Sequence, residues 1–285
     1  MANIARFESD NGIVYHFGKA GKTAFTMDFG SGMSVDIGTS QGFSQVGTSV
    51  SNQSVSGKSI AVNGAVYGDV PKKKKELRRA FAPFTSGKLI INDKYYIRVF
   101  VKNSPSFSIM KNNGRFSLLL YAPYPYFRSV KETVNKIGYV VPRFKFPVVY
   151  EQYNYYMFGE QSFEGFSIIN NEGDVPAMYS ATIVNRSGST SLTISNITTG
   201  DYLKINRMFD PGDTIKIFRA ENNALRVNLV YGSLETDILG DVTENSTLFT
   251  IPVGESVFSV RGSNEWEIMD SVIVFEETVV SVFED

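Results

Sequence analysis

Apolar and polar residues alternate in short runs along most of this chain, the period-two signature of half-buried strands. IVYHFG and AFTMDFG come first, then KLIIN, KYYIRVFVKN, SFSIM and RFSLLLYAP. Turn formers sit between them: Asn92-Asp93 separates the first pair, and Asn112-Asn113-Gly114 precedes the last run. These predict two hairpins. Only one stretch follows a helical period. In DVPKKKKELRRAFAPF, Leu77, Ala80, Phe81 and Phe84 stand at i, i+3, i+4 and i+7 and form one apolar stripe. Asp69 or Val70 is the expected cap, and Pro71 fits the first turn. Pro83 limits the helix at about Phe81 or Ala82.

The later half repeats the strand pattern without a helical period. SLTISNI, DYLKIN, DTIKIF and LRVNLVY are separated by Thr-Thr-Gly, Asp-Pro-Gly and Glu-Asn-Asn-Ala, and they predict a meander of short antiparallel strands. Leu203 and Ile205 should share a face. So should Ile215 and Ile217, and so should Leu225, Val227, Leu229 and Tyr231. STLFTIP, SVFSVRG, WEIMD and VIVFEETVVSVFE complete a jelly-roll-like sandwich. The expected fold class is therefore mainly β, with two β-sandwich domains and one helix in the first. The first domain covers 1–130 and closes at YAPYPYF, where two prolines interrupt strand pairing. An aromatic connector follows over 131–160, and the second domain covers 161–285. The Gly30–Ser59 stretch is rich in Gly, Ser, Thr and Gln and predicts a hairpin or arm of low hydrophobicity.

Charge sharpens the two-part division. The net charge of −1 hides 17 Lys+Arg against 7 Asp+Glu over residues 1–130 and 7 against 21 over 151–285. The halves thus carry +10 and −14 and should face different partners. Cysteine is absent, so disulfides and cysteine-based zinc sites are excluded. No apolar run approaches the roughly 20 residues of a membrane-spanning helix, and membrane insertion is not expected. MANIARFESDNG lacks the apolar core of a signal peptide, so folding in a cytoplasm is expected.

Catalytic chemistry finds little support. A Ser-His-Asp site needs a histidine base, and His16, the single histidine, lies in a strand-like run with no nucleophile motif. Asp210 and Asp213 in DPGD have the chemistry of calcium ligands but read better as turn formers. Glu160, Glu164, Glu172, Asp174, Glu265 and Glu267 offer carboxylates for glycoside hydrolysis without any pairing signal. No phosphate-cradling loop is present, and no cofactor is expected. Lys72–Lys75 with Arg78 and Arg79 read as a solvated helix face, an acidic-protein contact or a nucleic-acid contact. Trp266, the single tryptophan, stands near Arg261 and Asn264, an arrangement suited to a sugar ring.

Two stretches, KKELRRAFAPFTSGKLIINDKYYIRVFVKNSPSFS with RFSLLLYAPYPYF, and IINNEGDVPAMYSATI with ISNITTGDYLKINRMFDPGDTIKIF, resemble the distal tail protein (Dit) family of siphophages. The matching order runs over roughly residues 70–235. The resemblance implies an N-terminal belt β-sandwich that assembles into a homo-hexameric ring and a galectin-like C-terminal sandwich outside it. It implies that the ring joins the tail tube protein to the tail-associated hub protein and anchors receptor-binding proteins. The tape measure protein and phage DNA would pass its channel, in a virion assembled in the host cytoplasm. Leu77, Arg78 and Phe81 are the expected structural or interface residues of the belt. The alternative is a carbohydrate-binding adhesion module using Trp266, Arg261 and Asn264.

Overall fold

Alternating burial along Ala5–Ser9 (β1) sets the pattern of the first unit: Ala5, Phe7 and Ser9 face inward and Arg6 and Glu8 outward. The computed structural model describes residues 4–18, 23–29, 34–110, 113–138, 140–142, 159–161, 165–220, 224–247, 249–264 and 269–282. Two units emerge, one of residues 1–130 with 279–285 and one of residues 131–278. After β1 the first unit runs β2 (Val14–Phe17), β3 (Thr23–Asp28), β4 (Val35–Ser40), β5 (Ser49–Val55), β6 (Lys58–Val66) and α1 (Val70–Ala80). It continues with β7 (Ser86–Ile91), β8 (Tyr95–Met110), β9 (Asn113–Ala122) and the start of β10 (Phe127–Ile137).

Antiparallel pairing orders one part of this unit β10-β8-β7-β1-β2 and the other β8-β9-β6-β3. β8 belongs to both. It takes the place of two separate strands expected around Pro105: the register slips between Val101 and Asn103 and again between Asn103 and Ser106. A proline cannot donate to the ladder, and a bulge is where a strand tolerates one. The inner faces of both parts meet in one core, with Phe7, Phe17, Ile60, Val62, Leu89, Ile97, Val99, Leu118 and Leu120 buried together. Val279 and Val282, from the far end of the chain, pack against the same core.

Turn chemistry explains the β7–β8 connection. Asn92 and Asp93 both adopt φ 54°, and Lys94 N–H donates to the Ile91 carbonyl at 3.1 Å. A tight hairpin turn with both central residues left-handed favours Asn and Asp, so the local sequence selects this geometry. Gly87 is required for another reason. A Cβ there would lie 2.2 Å from the Glu8 carbonyl oxygen, so a side chain would push β7 away from β1.

The second unit contains the remainder of β10, β11 (Val140–Pro142), β12 (Gly159–Gln161), β13 (Phe166–Asn171), β14 (Tyr179–Asn185), β15 (Leu192–Asn196) and β16 (Asp201–Ile205). It ends with β17 (Thr214–Arg219), β18 (Leu225–Tyr231), β19 (Leu234–Asp237), β20 (Gly254–Arg261) and β21 (Met269–Val279). One sheet runs β19-β18-β17-β14-β21 and the other β13-β20-β15-β16. Their inner faces bury Ile183, Ile215, Ile217, Val227 and Ile273 against Ile169, Ile194, Leu203, Ile205 and Phe258. That is a sandwich of two antiparallel sheets.

The expected meander breaks at one point. β15 pairs β16 and β17 pairs β18, but β16 and β17 belong to different sheets. The Asp-Pro-Gly stretch carries the chain across the sandwich. Local alternation predicts each strand and its inward face, but not which neighbour it pairs. Tyr231 also departs from expectation: it is 76% exposed, because it flanks the β18–β19 turn beyond the core. The aromatic connector residues 143–158 lie outside the described residues.

Candidate assembly surfaces

The helix begins where its sequence dictates. The Asp69 carboxylate accepts the Lys72 N–H at 3.2 Å, Pro71 occupies the first turn, and Phe81 closes the last turn with its N–H on the Leu77 carbonyl. Leu77, Ala80 and Phe81 are buried. Phe81 sits in an aromatic cluster: it stacks on Phe7 and meets Phe17 and Tyr15 at 5.7 and 5.9 Å. Phe84 does not join them. Pro83 ends the helix first, and Phe84 adopts φ 64° with its side chain fully in solvent. Arg78 is exposed, and its guanidinium covers the Phe107 ring at 5.1 Å. Lys74 covers the same ring at 5.2 Å.

The first turn of the helix is charged against the dipole, whereas Arg78 and Arg79 in the last turn are charged with it. Lys72, Lys73 and Lys74 occupy the first turn region, where the macrodipole is positive, and no acidic residue stands in that turn. Asp69 alone opposes them from the cap position.

The Gly30–Ser59 stretch contains a hairpin, β4 with β5, and residues 30–33 lie outside the described residues. Every β5 residue is exposed, as are all β4 residues except Gly38. Apolar side chains nonetheless recur along it: Val35, Ile37, Val50 and Val55, with Phe43 and Val46 wholly exposed at the tip. A two-stranded hairpin with no core of its own is marginally stable in water. Exposed apolar residues on such an element mark a contact surface.

On the second unit, Arg261 stands at the end of β20 opposite Thr193 of β15, and it is exposed. Asn264 is exposed three residues on. Trp266, Glu265, Glu267 and Glu164 lie outside the described residues. Sequence reading missed what anchors this turn. Ser263 N–H donates to Ser189 Oγ at 3.0 Å, and Thr190 N–H donates to Ser263 Oγ at 3.2 Å. Serines this far apart in sequence carry no local signal of pairing.

The remaining candidates have structural places. His16 lies in β2 opposite Arg6, exposed. Asp213 turns its carboxylate back onto the Asp210 N–H at 2.8 Å, closing the Asp-Pro-Gly-Asp turn with Gly212 at φ 98°. Asn196 does the same for the Thr-Thr-Gly turn, accepting from Thr198 N–H and Thr199 N–H. Glu172 accepts a hydrogen bond from Asn170 and is exposed. Asp174 N–H donates to the Thr278 carbonyl. Among the described residues, no three His, Asp or Glu side chains gather where a metal ion would sit. Burial pushes the Tyr179 hydroxyl far above its ordinary range, with Arg219 opposing weakly, so it stays protonated. Its ring packs against Phe249 and Phe258 in the core.

No curated protein matches the sequence. Residues 172–271 match the family model of the siphovirus-type tail component, C-terminal domain. Among solved structures, the crystal structure of the SPP1 Dit protein, described as a paradigm of the hub adsorption apparatus in phages that infect Gram-positive bacteria, is similar with a TM-score of 0.67 and 12% identity. The match covers 98% of this chain and 99% of that one. A chain in the phage P2 baseplate, in its activated conformation with calcium, matches with a TM-score of 0.47 and 13% identity over 96% of this chain and 98% of that one. Residues 172–271 therefore resemble the C-terminal domain of the siphovirus-type tail component, and the chain as a whole has the fold of the SPP1 Dit protein.

Proposed function

We propose that this chain is a structural, non-enzymatic component of a siphophage tail tip. The first unit closes into a homo-hexameric ring, and the second unit decorates it or docks other baseplate proteins. The observation that carries this reading is the shared fold with SPP1 Dit along nearly the whole chain, together with the tail-component match over residues 172–271. The partners are the tail tube protein on one side and the tail-associated hub protein on the other, with receptor-binding proteins at the periphery. The tape measure protein and DNA pass through the channel.

A ring of identical subunits is built from heterologous contacts, in which one face of a protomer meets a different face of the next. The β4–β5 arm supplies such a face. Its apolar residues have no core beneath them in the single chain, and burying each against a neighbour would stabilise the contact by about 1.5–3 kcal/mol. Leu77 and Phe81 support the belt from inside, while Arg78 and its neighbours leave charge on the outside. Opposite charge on the two units favours encounter and orientation more than tight binding.

A second reading rests on Arg261 at the end of β20 and Asn264 three residues on, both exposed. An adhesion module would bind a cell-wall saccharide there. Titrating saccharides while following Trp266 fluorescence tests it, and a flat titration removes it. Native mass spectrometry of the purified chain tests the primary reading. A closed species of six 31.7 kDa subunits supports it. An open-ended ladder of oligomers, or a glycan-binding monomer at every concentration, contradicts it.

A further inference from the structure

The YAPYPYF segment closes the first unit, and it also lies at the base of the arm. The β4–β5 hairpin is a two-stranded sheet of its own, outside the larger sheet. The chain leaves the body of the unit after Phe29 and returns at Gly57 and Lys58. Ser56 N–H donates to the Ser34 carbonyl at 3.1 Å, so the hairpin is tied at its base just before that return. Two roots therefore set where the arm points.

Both roots meet one ring. Phe29 stands edge-on to Phe127 at 5.3 Å, and Lys58 Nζ lies over the same ring at 4.4 Å. Phe127 is buried at the start of β10. Lys58 opens β6 opposite Ala122, on the inner face with Ile60 and Val62. Partial burial lowers the pKa of its ammonium, as expected for a charge drawn out of water. Gly57 is gripped from the other face. A Cβ there would stand 2.5 Å from Tyr121 Oη and 2.7 Å from the Ala122 carbonyl oxygen. Tyr121, Ala122 and Phe127 all belong to YAPYPYF, and Pro123 and Pro125 restrict the backbone between them.

We propose that YAPYPYF is a socket that aims the arm, with Phe127 as the positioning residue for both roots. A hairpin with no core beneath it takes its direction from its base. Phe127 holds Phe29 and Lys58 together, so that direction is set within a single subunit, before any neighbour is met. β5 alone is roughly 23 Å long, so a shift of about 1 Å at Gly57 grows to several at the tip.

The chain has no cysteine, so nitroxides attached through Phe43→Cys at the arm tip and Ser117→Cys on β9 report one distance within the subunit. Double electron–electron resonance measures it on the full chain, at concentrations where native mass spectrometry finds the monomer. A single narrow distribution is expected. Phe127→Leu fills the core but lacks the ring that both roots hold, and it should broaden the distribution about twofold or more. Gly57→Ala should shift the mean by several ångström, because the Ala122 carbonyl belongs to a paired strand and cannot make room. Phe81→Leu, in the same core but against Phe7, Tyr15 and Phe17, should change neither. Thermal melting confirms that each variant is folded. A distribution that is broad in the parent, stays narrow in Phe127→Leu, or broadens as much in Phe81→Leu overturns the socket. So does an unmoved mean in Gly57→Ala. The distances are read on the monomer, so these failures leave the ring untouched, and a chain that never forms rings leaves the socket standing.

Discussion

Phe7 and Phe81 lie face to face, with ring centroids 4.5 Å apart and planes 26° from parallel. One comes from the first strand and the other from the end of the helix, so this contact fixes the helix onto the β1–β7 region. Both rings are fully buried. Phe81→Ala leaves a cavity among Phe7, Tyr15 and Phe17 and should cost about 3–5 kcal/mol. Phe84→Ala, three residues on and in solvent, should change stability by less than about 0.5 kcal/mol. Urea denaturation of both variants measures the difference, and comparable losses at the two positions would refute this packing.

The helix start gives a paired expectation with opposite signs. Asp69→Ala removes the acceptor of the Lys72 N–H and should destabilise the first unit by about 1 kcal/mol. Lys72→Glu replaces an unfavourable charge at the helix N-terminus with a favourable one and should stabilise by about 0.3–1 kcal/mol. Chemical denaturation at low salt reads both. The second effect should shrink as salt screens it; a loss of stability in Lys72→Glu would mean the lysine has a structural contact that the dipole argument misses.

Phe43 and Val46 at the arm tip touch no core in the single chain. Phe43→Ser with Val46→Ser should leave the thermal midpoint of the monomer nearly unchanged, within the roughly 0.5 kcal/mol typical of surface substitutions. If the arm makes the contact between subunits, the same variant should fail to form rings in sedimentation velocity. Rings that form as readily as in the unaltered chain would remove the arm from the interface.

On the second unit, Lys216 of β17 donates to Glu235 of β19 at 2.6 Å, and Asn228 of the strand between them donates to the other carboxylate oxygen at 3.2 Å. The Lys216 hydrogen bond, then that from Asn228, holds the Glu235 carboxyl below its ordinary pKa. A carboxyl depressed in the folded state contributes stability above its unfolded pKa. That contribution disappears as pH falls through the folded value. NMR titration of Glu235 should therefore show a midpoint below that of a free glutamate, moving back up in Lys216→Met. A midpoint unaffected by that substitution would contradict the assignment. The pair is exposed, so its role is to occupy an edge strand with charge and blunt pairing with other chains.

Much of this fold was legible because its determinants are local. Period-two burial identified the strands around Leu89, Ile205 and Ile217, and Asn92-Asp93 announced its turn through the residues that tolerate a left-handed backbone. Asp69 and Pro71 marked the helix start in the same way. What was not legible is non-local. Nothing between Ile205 and Thr214 distinguishes a hairpin from a crossover to the opposite sheet. KYYIRVFVKN and SFSIM read as two strands, whereas pairing with β9 on both sides of the bulge carries β8 through Pro105.

The central claim is that this chain builds a ring at the tip of a phage tail. Cryo-EM of purified tails that contain it tests that claim most directly. The account predicts a closed ring of six copies of this fold at the tail end, with the β4–β5 arm of each copy lying on its neighbour. Density for the fold elsewhere in the particle, or single copies without mutual contact, would contradict it.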